Sequence, residues 1–234
     1  MNKDIAKLGI VIPCFNESKN IPSLLSRCKL AVMRTDCEFL LVDNGSTDST
    51  SDLLDKIGII PGIKFLRIEK NLGYGGGILA GLKILVNPFV GWTHADLQTD
   101  PVDIENIEFR SASEWQFLKG SRRDRKVVDQ IFTSGMSTLM SLLFTTHLSD
   151  INAQPTVISR KMFESWESPP TDFSLDLYAY VIAKKKSATV SRFPVDFSAR
   201  LAGTSKWNSG MLARFRMSHR TVKYALKLKR ELSK

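Results

Sequence analysis

Cysteine is scarce in this chain of 234 residues: three occur, Cys14, Cys28 and Cys37, at spacings of fourteen and nine. An odd number at those intervals builds neither a disulfide framework nor a paired-cysteine metal site, so reduced thiols in a cytosolic setting are expected. Long hydrophobic runs are missing too. The opening MNKDIAKLGIVIP has only about six apolar residues in a row after its lysines and no small-residue cleavage site, so no signal peptide is expected there. The longest segment without Asp, Glu, Lys or Arg covers residues 130–149, and its serines, threonines and His147 make it too polar to span a bilayer. A P-loop, a G-x-S-x-G elbow and an H-E-x-x-H helix are also absent, which removes the usual signatures of three large hydrolase classes.

What is present is ordinary globular composition, 43% apolar and 24% charged types, which excludes wholesale disorder. The length suits one full α/β domain or two small ones. The net charge of +9 is concentrated at the end, where residues 214–234 hold eight basic side chains against the single acid Glu231. Such a patch seeks phosphate, on nucleic acid or on anionic lipid. No aromatic interleaving of the kind that stacks on bases accompanies it, so an anionic membrane surface is expected and nucleic acid is not. The competing reading is a terminal helix packed on the domain with its lysines in water.

Residues 8–12 form a continuous apolar run of strand length closed by Pro13, and Asn16 is placed to cap a helix reaching Met33. Strand patterns recur at 39–42, 63–68 and 89–92, with helices expected at 46–57 and 75–85. This alternation implies a mostly parallel sheet flanked by helices, with ligands at the carboxyl ends of its strands. Those ends carry Pro13, Phe15, Asn16 and Glu17, then Asp43, Asn44, Gly45 and Ser46, then His94, Asp96 and Gln98. Further on come a strand at 117–120, an uncharged helix at 130–148, a segment at 150–159, a helix at 174–184, a strand at 188–194 and the basic helix. The uncharged helix reads either as an interfacial helix on a bilayer or as a core helix. A catalytic domain over 1–212 followed by a basic helix over 213–234 is the simplest partition. Gly75, Gly77 and Ala80 also fit the dinucleotide pattern G-x-G-x-x-A, but not after a first strand; glycines that let a helix lie close to the sheet are the preferred explanation.

The strings VIPCFNESKNI, LLVDNGSTDST, NLGYGGGILAGL and THADLQTDP are followed in order by KGSRRDR, DINAQPTVISR, FSLDLYAYVIAKK and RFPVDFSARLAGTSKW. Together, over roughly residues 8–208, they resemble family 2 glycosyltransferases of GT-A fold, and within them the polyprenyl-phosphate sugar transferases. The resemblance implies an α/β, GT-A-type nucleotide-sugar-binding fold and a metal-dependent, inverting transfer. The donor would be a GDP- or UDP-linked sugar and the acceptor a polyprenyl phosphate at the cytoplasmic face of a membrane, to which the protein would bind peripherally. Transfer to a sugar hydroxyl of a lipid-linked or surface polysaccharide precursor is the alternative within enzymes, and an inactive binding subunit the alternative outside them.

By the same resemblance, Pro13, Phe15, Glu17 and Asp43 hold the nucleotide, and Asp96 is the principal ligand of a divalent cation, with His94 and Gln98 beside it. His94 replaces the family's first aspartate; an imidazole there favours Mn²⁺ over Mg²⁺. Arg122, Ser134, Arg200 and Lys206 are the acceptor-side residues. Asp176 becomes a general base if the acceptor is a hydroxyl, and an orienting group if it is a phosphate. Asn44 stands where a second acid is usual, and Gln130 where an arginine is usual.

Overall fold

The computed structural model describes residues 6–109, 115–122, 127–197 and 211–233. Strands β1 (Leu8–Cys14) and β2 (Cys37–Asn44) are buried along nearly their whole length, as apolar strands of a parallel sheet covered on both faces must be. They lie beside β3 (Ile63–Ile68) and β4 (Phe89–Trp92), all four parallel, so that Val11 stands between Leu40 and Trp92. Three later strands, β5 (Gln116–Arg122), β6 (Thr156–Ser159) and β7 (Thr189–Val195), extend the sheet to the order β3-β2-β1-β4-β6-β5-β7. β6 runs antiparallel to both neighbours, and β5 and β7 pair in parallel. The expectation of a mostly parallel sheet flanked by helices holds.

Helices α1 (Ile21–Arg34), α2 (Thr50–Lys56) and α3 (Gly73–Ile84) connect the first four strands. α4 (Val127–Phe144), α5 (Arg160–Glu164), α6 (Leu175–Lys185) and α7 (Met211–Leu232) complete the helical layers, with a 3₁₀ turn at Pro101–Asn106. The period of two along β1 sorts the core. Ile10 and Ile12 face Leu24 and Cys28 of α1, while Val11 faces the cluster of Ile78 and Leu82 of α3, Tyr180 of α6 and Leu228 of α7. Ala225 and Leu228 are thus buried in the main core while Lys223, Lys227, Lys229 and Arg230 are exposed. The division expected at 212 falls in the first turn of α7, whose inner face is built into the domain.

Two local expectations differ from the structure. Asn16 does not cap α1, which begins at Ile21; it adopts a left-handed conformation (φ 60°), and its side-chain oxygen accepts from the backbone N–H groups of Thr47 (2.8 Å) and Asp48 (3.3 Å). No strand was expected within 150–159, yet the four buried residues of β6 bridge the two halves of the sheet. The cysteines are free and buried, and burial pushes their thiols up, Cys37 to about 11, so none is a ready nucleophile.

Candidate active site

The carboxyl ends of β1 and β2 are laced together. The Asn16 N–H donates to Ser46 Oγ (3.0 Å), the Glu17 N–H to Thr50 Oγ1 (2.9 Å), and Glu17 Oε2 accepts from Asn20 Nδ2 at 2.6 Å. Phe15 is 38% exposed and stands beside half-buried Pro13 and Glu17. Asp43 is buried: one oxygen accepts from the Ser46 N–H (3.0 Å) and the other from the Ser51 hydroxyl, so both hold the turn into α2. Asn44, also buried, accepts from the Leu72 N–H (3.0 Å) and donates to the Gly73 carbonyl (2.9 Å). Its amide thereby joins β2 to the glycine-rich start of α3, a task that needs donor and acceptor together.

The glycines of that start serve close packing. A Cβ on Gly75 would lie 2.6 Å from the Pro170 carbonyl oxygen, and one on Gly77 would lie 2.9 Å from Asn44 Nδ2. They admit the segment 170–172 and the end of β2, which accounts for the dinucleotide-like pattern without a cofactor.

After β4, Asp96 is 7% exposed and its Oδ1 accepts from the Gln98 N–H at 3.1 Å, with Leu97 between them at φ 56°. His94 stacks on Tyr74 (5.4 Å between centroids, 27°), and Tyr74 stacks in turn on Phe173 (4.5 Å, 6°). Among the described residues no three His, Cys, Asp or Glu side chains converge as a metal site. Mg²⁺-type cations at nucleotide sites commonly take one or two protein carboxylates and complete their shell with substrate phosphates and water. The single carboxylate of Asp96, flanked by His94 and Gln98, fits a cation that arrives with a diphosphate rather than a resident metal centre.

Behind this loop lies a buried polar cluster that the sequence reading named only in part. Asp176, 3% exposed at the start of α6, accepts from Trp92 Nε1 (3.1 Å) and Gln154 Nε2 (2.8 Å) on one oxygen and from the Tyr74 hydroxyl (3.2 Å) on the other. Burial and the neighbouring Asp176 and Asp96 charges push the Tyr74 phenol well up, so it stays a donor. Lys119 of β5 is fully buried as well. Its signal was a lysine on the same face of a strand as Phe117, where an inward apolar residue belongs.

Arg122, at the end of β5, forms a two-pronged ion pair with Asp150 and lies 5.2 Å from the Phe197 ring. Asp150 also lines a groove of about 770 Å³ along α4, together with Ser134, Ser137, Thr138, Ser141 and Thr145. Ser134 thus lines this groove together with Asp150, and Arg122 reaches it only through its ion pair with Asp150; Arg200 and Lys206 lie outside the described residues. α4 is neither fully buried nor fully interfacial: Met140 is in the core while Leu142 is 74% exposed.

The sequence model of glycosyl transferase family 2 matches residues 9–133. Undecaprenyl-phosphate 4-deoxy-4-formamido-L-arabinose transferase from Aeromonas hydrophila subsp. hydrophila is 30% identical over 60% of this chain and 44% of its own. The enzyme of that name from Sodalis glossinidius is 31% identical over 59% of this chain and 43% of its own. The matched stretch thus spans less than half the length of these relatives. Among solved structures, glucosyl-3-phosphoglycerate synthase from Mycobacterium tuberculosis superposes with a TM-score of 0.72 in complex with phosphoglyceric acid, at 15% identity over 95% of this chain and 79% of that one. Its complex with Mn²⁺, UDP and glucosyl-3-phosphoglycerate gives a TM-score of 0.70 at 16% identity, covering 96% and 80%. At such identity the likeness concerns the fold, which is of GT-A type as expected.

Proposed function

This chain belongs to glycosyl transferase family 2, and from that premise we propose that it moves a sugar, with inversion, from a UDP- or GDP-linked donor to a polyprenyl phosphate at the cytoplasmic face of a membrane. The observation that carries the choice of acceptor is the enclosure of Asp176. A general base must meet the proton it removes within hydrogen-bond reach, and this carboxylate is 3% exposed with three donors already on it. A phosphate acceptor needs no such base. Its oxygen is already anionic and can attack the anomeric carbon as the bond to the diphosphate breaks, releasing the nucleoside diphosphate. The names of the relatives point the same way, since their acceptor is undecaprenyl phosphate.

In this reading Pro13, Phe15 and Glu17 form the wall for base and ribose, with Asp43 holding the turn behind them. Asp96, with His94 and Gln98, holds a divalent cation, Mn²⁺ or Mg²⁺, which when bound offsets the charge that grows on the leaving diphosphate. The complex of the structural neighbour with Mn²⁺ and UDP supports a cation and a uridine donor. Arg122 and Ser134 receive the acceptor phosphate, joined by Arg200 and Lys206. Asp176 fixes Tyr74, and through it the His94 ring.

The hydroxyl-lined groove along α4 favours a second reading, transfer to a sugar hydroxyl. Incubating the protein with UDP- and GDP-sugars and Mn²⁺, and with undecaprenyl phosphate or soluble saccharides, separates the two. The proposal expects a glycosyl phospholipid and an Asp176→Asn variant that keeps its rate to within about tenfold. Transfer to saccharides alone, with a loss of about 10² to 10⁴ in that variant, would replace it by the second reading.

A further inference from the structure

Charged side chains are rarely buried without a partner of opposite sign. Lys119 is 0% exposed, and among the described residues its ammonium forms no ion pair; it donates to Thr156 Oγ1 of β6 at 2.9 Å and lies 5.8 Å from the Phe117 ring. The charged groups that face it come from each element packed around it: Asp176 from α6, Arg192 from β7, Asp150 from the segment after α4, and Arg122 from β5 itself. β6 contributes only the hydroxyl of Thr156. Arg122 is held by Asp150, and Arg192 by the carbonyls of Gly120 and Ser149 and by Ser149 Oγ (3.0 Å). Among the described residues, three cations thus stand around two carboxylates, with Lys119 and Asp176 buried and Arg122, Asp150 and Arg192 half-buried.

We propose that Lys119 is a positioning residue for an anionic phosphate, its ammonium giving this cluster the one surplus positive charge that a bound phosphate neutralises. The identity of the ligand rests on the acceptor reading above; the charge count does not. The lysine is a charge reserve behind Arg122: it lets the cluster accept an anion without the loss of the Arg122–Asp150 pair leaving two uncompensated negative groups. Burial pushes the lysine down to about 8, so its proton is held only loosely while the site is empty.

Two consequences follow with definite signs. Below pH 8 the proton is already present and phosphate affinity is insensitive to pH from this source. Above pH 8 binding must take a proton up, and the dissociation constant rises by a factor approaching ten per pH unit. For folding, the unfolded lysine titrates near 10.5, above its folded value. The full cost of burying the charge is therefore present below pH 8, and this group's contribution to stability improves as pH rises from about 8 to 10.5.

The test measures binding of geranyl phosphate, a soluble short prenyl phosphate, by titration calorimetry at pH 7.5 and 9.5, with thermal melting of each protein alone. Wild type should weaken by at least about tenfold between the two pH values. Lys119→Arg, whose charge is permanent, should bind equally at both, and Lys119→Met should bind at least about tenfold more weakly than wild type at pH 7.5. Lys119→Met should also melt at or above the wild-type temperature at pH 7.5, an advantage that shrinks as pH rises. Equal binding by wild type and Lys119→Met at pH 7.5, or a pH-independent wild type, overturns the proposal. So does a Lys119→Met protein that melts far below wild type, which would make the lysine a structural brace. If geranyl phosphate binds with the expected pH profile but undecaprenyl phosphate accepts no sugar, the acceptor reading fails and the role of Lys119 stands.

Discussion

Asn44 uses a donor and an acceptor on one short side chain, and the geometry shows why an acid would not replace it. Its oxygen takes the Leu72 N–H at 3.0 Å and its nitrogen gives to the Gly73 carbonyl at 2.9 Å. A carboxylate there would set an oxygen against that carbonyl and bury a charge. Asn44→Asp should therefore destabilise the fold by about 1–3 kcal/mol, read as a lower denaturant midpoint with an unchanged slope. Asp96 poses the opposite case. Its Oδ1 accepts from the Gln98 N–H after β4, and in the proposed reading the carboxylate holds the cation, so Asp96→Ala should lower turnover by about 10³-fold, the scale of losing a major charge-stabilising contact, while the protein still folds with a cooperative melt. Excess chelator should suppress wild type to a similar extent, and full activity in chelator would remove the cation from the scheme.

Helix α3 concentrates the constraints of the fold. Its Gly75 faces the backbone oxygens of Pro170 and Asp172, at 2.6 and 2.8 Å from a Cβ placed there, and backbone yields less readily than a flexible side chain. Gly75→Ala should cost about 1–3 kcal/mol and, because Tyr74 adjoins it, weaken the hold on Asp176. A lower melting temperature together with altered tyrosine and tryptophan near-ultraviolet dichroism would register both effects. β1 to β4 and the polar residues that follow them were legible in the sequence because each strand is a compact apolar run whose end is marked by polar or turn residues. The rear of the site was legible only at Asp176, and there only through the family resemblance. Tyr74 and Trp92 meet Asp176 across 102 and 84 residues of chain, and no local pattern encodes such a meeting. β6 escaped because it runs from Ser159 straight into α5 at Arg160 with no turn residues to mark its end, and Asn16 misled because its side chain satisfies a neighbouring loop instead of its own helix.

For the whole molecule the question is where the surplus charge of +9 acts. α7 answers part of it, since Ala225 and Leu228 anchor the helix in the core while Lys223, Lys227, Lys229 and Arg230 are left in solvent. The packed-helix reading of the tail and a membrane role are therefore compatible: the inner face belongs to the fold and the outer face is free to meet a surface. Leu226, 46% exposed, adds an apolar contact on that side, and the Lys227–Glu231 pair at 3.6 Å is an exposed bridge that contributes little. No helix among the described residues is long and apolar enough to cross a membrane; the proposed membrane contact rests on the basic outer face of α7 and is electrostatic. At about 1 kcal/mol per basic residue near an anionic bilayer, replacing all four by glutamine should weaken binding by roughly 10³-fold. Removing the helix would confuse the result by opening the core, whereas the four substitutions lie on its solvent side. In co-sedimentation, wild type should pellet with vesicles rich in phosphatidylglycerol and ignore phosphatidylcholine vesicles. Raising the salt well above 0.1 M, where the screening length is already about 10 Å, should release it. Equal pelleting of wild type and the fourfold variant would show that the basic face of α7 is not the membrane contact.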